Sequence, residues 1–178
     1  MLGYIIASLW GFAEATLFFF VPDIWISILA LQSGRQGLIA CLYAFMGAVI
    51  GGLIMYYLGQ ANVQSMNTLL NKIPAIRAVD VQKVKSDLQK SGAMAVLFGP
   101  MFGIPYKIYA VNAHSVMSIT AFILISLPAR IIRFIFVALI TSFASERFLA
   151  AFSSMGKLQI VLIFWVVLYI VYFLLKRG

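Results

Sequence analysis

The sequence predicts an all-α integral membrane protein, built as two inverted repeats, each a re-entrant helical hairpin plus a spanning helix, with one extra C-terminal transmembrane helix. Three observations predict it. Hydrophobic residues make up 63% of the 178 positions and charged residues only 10%, with a mean hydropathy of +1.03. A soluble domain carries about a quarter charged residues, so this chain has too few to coat a water-facing surface. The apolar residues run in unbroken stretches of Ile, Leu, Phe and Val, where a membrane barrel would alternate polar and apolar. A spanning backbone that is not a closed barrel must be helical, because lipid offers it no hydrogen-bond partners. Finally, two apolar stretches are broken by proline and glycine, and a spanning segment follows each.

Residues 1–32 form the first broken stretch. Met1–Leu31 as a straight helix would reach about 45 Å, well over a ~30 Å hydrocarbon core. Pro22 interrupts it and Asp23 follows, so a hairpin turning near Val21–Asp23 is expected. With no basic n-region or small-residue cleavage site, the stretch reads as retained. Ser33–Gly37 is a polar turn. Residues 38–58 are a spanning helix. Gly47 and Gly51, like Ala48 and Gly52, leave a face nearly free of side chains for close backbone approach. Gly59 reads as its C-cap. Residues 60–90 carry five Lys and Arg, two Asp and Pro74; Val81, Val84 and Leu88 predict an amphipathic helix lying on a membrane face. Residues 91–113 hold Gly92, Gly99, Pro100, Gly103 and Pro105, breakers enough for a second re-entrant hairpin. Residues 116–142 form a spanning helix bent at Pro128, Thr141–Gly156 a loop, and residues 157–175 the last helix, closed by Lys176 and Arg177.

Basic loops face the cytoplasm, which places the 60–90 linker and the C-terminal tail there. The first hairpin then opens to the opposite side from the second. Inverted repeats with broken helices meeting near the midplane are a transporter architecture.

Five charged residues fall inside apolar context. Glu14, among Trp10, Phe12, Leu17 and Phe18, is costly in lipid unless neutral or paired, and such acids mark pathways or proton relays. Asp23 is either its partner or a cap on the returning limb. Arg130 and Arg133 share a helix face, where two guanidiniums suit bidentate binding of a phosphate; snorkelling to headgroups is the alternative. Lys107 follows the second break and either faces the cavity or snorkels. His114 reads as an interfacial polar residue. The aromatics Phe18 to Phe20, Tyr56, Tyr57, Tyr169 and Tyr172 fit lipid-facing surfaces and interface belts.

Other classes are disfavoured. The net charge is +8, but no basic stripe interleaves with exposed aromatics, so no nucleic acid is expected. One cysteine, Cys41, and one histidine, His114, leave no disulfide, no metal cluster and no cofactor. No Gly-x-Ser-x-Gly, Walker loop or His-Glu-x-x-His occurs, so no enzyme is expected.

The hairpin carrying Glu14 and Pro22–Asp23, GAVIGGLIMYYLG at Gly47–Gly59, FGPMFGIPYK at Phe98–Lys107 and PARIIRF at Pro128–Phe134 occur in that order. Together they resemble the DedA family (VTT-domain or SNARE-associated membrane proteins), in its short YqaA-like form, over residues 10 to 140. The resemblance implies inner-membrane proteins with two inverted re-entrant hairpins that flip or scramble a phospholipid or polyprenyl phosphate, with the proton gradient as a coupling force. By position, Glu14 resembles the family's membrane acid and Arg130 and Arg133 its late arginines. Asp23 falls near the second acidic site, though the usual triplet around the proline is altered. Gly99 and Lys107 fall near a pair of hairpin arginines, and Gln60 where a basic residue often stands.

The expectation is a transporter of an anionic lipid in the inner membrane, its C-terminus cytoplasmic. Arg130, Arg133 and Lys107 would meet the phosphate, with Glu14 and Asp23 as protonatable groups. A proton-coupled small-solute carrier and a non-transporting scaffold or assembly factor stay open, as does a homo-oligomer.

Overall fold

The computed structural model describes residues 1–74 and 76–177, without the side chains of Met101, Phe102, Lys176 and Arg177. Every described element is helical: α1 (Leu2–Ala15), α2 (Asp23–Gln32), α3 (Gly34–Leu70), α4 (Ala78–Ser91), α5 (Ala93–Phe98), α6 (Tyr106–Asn112), α7 (Ile119–Arg147) and α8 (Ser154–Arg177), with short 3₁₀ turns at Gly99–Phe102 and Ala113–Ser115. Three are long and apolar enough to cross a membrane: α3, α7 and α8. The chain is an all-α membrane protein.

The first broken stretch folds back on itself. The Trp25 indole N–H donates to the Gly3 carbonyl at 2.8 Å, and Trp10 stacks on Trp25 with centroids 6.3 Å apart. Gly3, at the start of α1, also abuts the Leu29 side chain near the end of α2, so α2 runs back along α1. Several backbone groups of the irregular segment between them find partners, as non-helical chain away from water needs. The Phe18 amide donates to the Ala13 carbonyl at 2.8 Å, the Phe20 carbonyl accepts from Trp10 at 3.1 Å, and the Val21 amide donates to the Tyr169 hydroxyl at 2.9 Å.

Small residues let α3 stand at the centre. A Cβ on Gly47 would run into the Ser8 carbonyl of α1, and one on Gly11 of α1 into the Ala44 backbone of α3. The side-chain-free face expected from Gly47 and Gly51 is thus occupied by α1, at backbone contact. Gly52 meets the Tyr106 side chain, and Gly59 meets the Val111 backbone. Gly59 is not a cap. The helix continues through it, and glycine is needed there because α6 passes so close. The interruption comes at Asn62 (φ −157°, ψ 85°), whose side chain accepts from the Ser65 amide at 2.9 Å and caps the next helical turns.

The remaining departures are also local. The turn before α3 shrinks to Ser33, which is extended. α4 begins where the Asp80 carboxylate accepts from the Arg77 amide at 3.0 Å. Its Val81, Val84 and Leu88 are buried in a cluster with Leu70, Val96 and Ile108, so protein covers the face expected to lie on a membrane. Gly92, at φ 48°, ends it in a conformation side chains disfavour. α6 is buried at every position, pinned to α3 by a reciprocal pair of amide hydrogen bonds, Asn67 to Asn112 at 3.1 Å and Asn112 to Asn67 at 3.0 Å. α7 runs through Pro128 and on to Arg147, past the expected loop start at Thr141. α8 leans on α2 through Trp165, whose indole donates to Ser27 at 3.3 Å, and Lys157 secures its start on the Ser145 carbonyl at 3.0 Å.

These contacts sort the ends of the bundle. Gly34 abuts Ser142, so the start of α3, the end of α7 and the start of α8 share one end. At the other, the Tyr56 hydroxyl donates to the Met117 carbonyl at 2.8 Å, and Ile73, Pro74 and Ile76 line one cavity with Tyr172 near the end of α8.

Candidate functional site

The irregular segment between α1 and α2 is flanked by acids. Glu14 is the second-last residue of α1, and Asp23 opens α2. There it sits in the first turn, where a carboxylate suits the helix dipole, but makes no side-chain cap. Across from them, Arg130 and Arg133 project from α7 one turn apart. Lys107 is the second residue of α6, which starts after Pro105 and is buried at every position.

All five expected charges meet. Arg130 Nη2 donates to Glu14 Oε2. Arg133 Nη2 faces Asp23 Oδ2 at 3.4 Å, an ion pair without hydrogen-bond geometry. Lys107 Nζ donates to the Phe18 carbonyl. Burial is deep, with 2% exposure at Lys107, 3% at Asp23, 5% at Arg130 and 6% at Glu14. None of these four reaches a surface, so snorkelling does not describe them. Only the Arg133 side chain, 34% exposed, is partly open.

Three bases against two acids leave the cluster one positive charge in excess. Several polar atoms also lack a hydrogen-bond partner: Arg130 Nη1, Arg133 Nε and Nη2, and Asp23 Oδ1. Buried donors without acceptors are uncommon in folded proteins. An oxyanion would both neutralise the excess and accept from the guanidiniums.

A cavity of about 230 Å³ opens on this cluster. Glu14, Asp23, Lys107 and Arg133 line it, with Tyr106 and Tyr169, and Ile73, Pro74 and Ile76 of the linker close one side. Arg130 is set back from the wall. It lies over the Tyr106 ring, 4.1 Å from the centroid, a cation–π contact that helps hold a guanidinium away from water. The Tyr106 hydroxyl in turn reaches Ser126 of α7 at 3.3 Å. A second, largely apolar groove of about 610 Å³ lies between α8 and the Phe19–Ile24 region.

His114 is not part of the site; its Nδ1 lies 2.9 Å from the Val111 carbonyl. Tyr56 is buried rather than lipid-facing, and Tyr169 and Tyr172 are cavity walls. Tyr106, Tyr169 and Trp165 were not singled out for the site from the sequence. Tyr106 adjoins Lys107 at a proline-started helix, the one signal that could have marked it.

No family model matches the chain, and no solved structure does. An uncharacterized protein of Haemophilus influenzae is 25% identical over 171 residues, covering 94% of this chain and 86% of that protein.

Proposed function

We propose that this protein carries an anionic lipid, a phospholipid or polyprenyl phosphate, between the leaflets of a bacterial inner membrane, as a member of the DedA family without covalent chemistry of its own. In this reading α1–α2 and α5–α6 are re-entrant hairpins of opposite orientation, and the linker and C-terminus face the cytoplasm. The observation that carries it is a cavity lined by Glu14, Asp23, Lys107 and Arg133, with Arg130 paired to Glu14 just behind the wall, excess positive charge and unpartnered guanidinium donors. Charges so placed in a membrane protein mark the path of a substrate.

The mechanism follows from exchange of partners. Without substrate, ionised Glu14 neutralises Arg130 and Asp23 faces Arg133. An entering phosphate offers the guanidiniums a better acceptor. Glu14 then loses its counter-ion and takes up a proton, which couples the two events. Glu14→Gln mimics the protonated state, so it should retain lipid binding and flatten the dependence of transport on pH. Arg130→Lys keeps the charge but loses the planar fork, and should weaken phosphate binding.

The test is a flip assay in liposomes with labelled phospholipids and polyprenyl phosphates, run across pH on wild type and both variants. Equal transport by all three at every pH, with each variant folded, would defeat the proposal. Movement of a small anion but no lipid would favour the solute-carrier reading. The scaffold reading loses its main support, since α1 already occupies the Gly47/Gly51 face.

A further inference from the structure

The charged cavity and the apolar groove share three walls, Phe19, Trp165 and Tyr169. The groove continues from that junction between Phe20 and Ile24 on one side and Val166 and Ile170 on the other. Only Trp165 and Tyr169 among its lining residues carry polar atoms, and both are already engaged. The Trp165 indole donates to Ser27 at 3.3 Å, and the Tyr169 hydroxyl accepts from the Val21 amide at 2.9 Å. The groove therefore offers hydrocarbon contact alone, beside a cavity that offers charge. Along α8 the groove spans Leu162 to Leu174, about 18 Å of helix, with the shared walls Trp165 and Tyr169 in its middle, so it runs beside the charged cavity.

We propose that the groove between α8 and the α1–α2 break holds one hydrocarbon tail of the anionic lipid whose phosphate enters the cavity, with Phe19, Trp165 and Tyr169 at the junction of head and tail. This rests on reading the cavity as a phosphate site. It adds that the substrate is recognised along its length, and that α8, the helix outside the two repeats, supplies half of the tail site. A water-soluble phosphate would fill the cavity and leave the groove empty. Bulk lipid would wet the groove with no preference for a headgroup.

Trp165 reports on the site. The full-length protein is placed in phosphatidylcholine nanodiscs doped either with phosphatidic acid brominated in its acyl chains or with the same mole fraction of brominated phosphatidylcholine. The Trp165 contribution to quenching is the difference between wild type and Trp165→Phe. Brominated phosphatidic acid should quench it about twofold more or better, a modest preference on the affinity scale. Unbrominated phosphatidic acid should compete the excess away. Ile170→Phe, which fills the groove, should abolish it, whereas Val167→Phe, exposed and outside the groove lining, should not.

Equal quenching by both lipids in wild type overturns the proposal without recourse to any groove-filling variant, and so does an excess that survives Ile170→Phe. Binding of glycerol phosphate, followed by calorimetry, separates the two ideas. If glycerol phosphate binds but no excess quenching occurs, the tail site falls and the headgroup site stands. If neither is observed, both fall.

Discussion

Lys107 donates to the backbone carbonyl of Phe18, 89 residues earlier in the chain, and so ties the start of α6 to the break that follows α1. Its ammonium is one of three cations near the cavity and at the same time a structural partner for an otherwise unbonded carbonyl. Removing it leaves that partly buried carbonyl without its partner, at a cost toward the lower end of about 1–3 kcal/mol. Lys107→Met should therefore lower the unfolding midpoint in detergent. Lys83→Met, on the exposed face of α4, should stay within about 0.5 kcal/mol of wild type.

The Glu14–Arg130 pair should show strong coupling. Either single substitution, Glu14→Met or Arg130→Met, leaves one buried charge without its partner, a loss of about 3–5 kcal/mol. The double variant should lose less than the sum by about 1–3 kcal/mol. Asp23 and Arg133, without hydrogen-bond geometry and with the arginine partly open, should couple more weakly. Denaturant unfolding of all the variants in one detergent gives both coupling energies, and equal values would contradict the geometry.

Two glycines should respond differently to alanine. At Gly47 the added methyl meets the Ser8 backbone, which cannot give way without moving α1, so the cost should reach about 3 kcal/mol, the upper part of the range for overpacking. At Gly92 nothing lies within reach of a methyl. The cost there comes from the backbone, φ 48° with ψ −116°, and should be about 2 kcal/mol, mid-range for a conformation that side chains rarely adopt. Comparing the two unfolding midpoints tests whether α1 and α3 meet at backbone contact.

The bundle's ends predict a labelling pattern. Cys41 is buried, so introduced cysteines can be read against a quiet background. Cysteines at the exposed positions Gln82 and Ser153 should react from opposite sides of the membrane in cells, with a C-terminal tag on the Gln82 side. Reaction of both from one side would break the proposed arrangement of repeats.

The individual charges were legible because lipid makes any charge conspicuous. Their pairing was not, since 116 residues separate Glu14 from Arg130 and no local spacing rule reaches so far. The small-residue face of α3 was equally plain. Gly59 was misread because a helix cap and a close backbone approach both demand glycine, and only the position of Val111 decides between them. The face of α4 was misread for a similar reason: periodicity reveals that Val81, Val84 and Leu88 are hidden, not what hides them. Tyr56 and Tyr169 show the same ambiguity, since an aromatic ring with a polar tip suits a membrane interface and a buried hydrogen bond alike.

The position of α8 as a cavity wall bears on biosynthesis. Chains emerge from the ribosome N-terminus first, so α1 to α7 are made before Trp165, Leu168, Tyr169 and Tyr172 exist. Until then the cavity stands open on one flank to whatever surrounds the nascent chain. The links from Arg130 to Glu14, Arg133 to Asp23 and Lys107 to Phe18 involve no residue of α8. A growing chain can therefore neutralise its most expensive charges early and wait for the last helix to shut the flank.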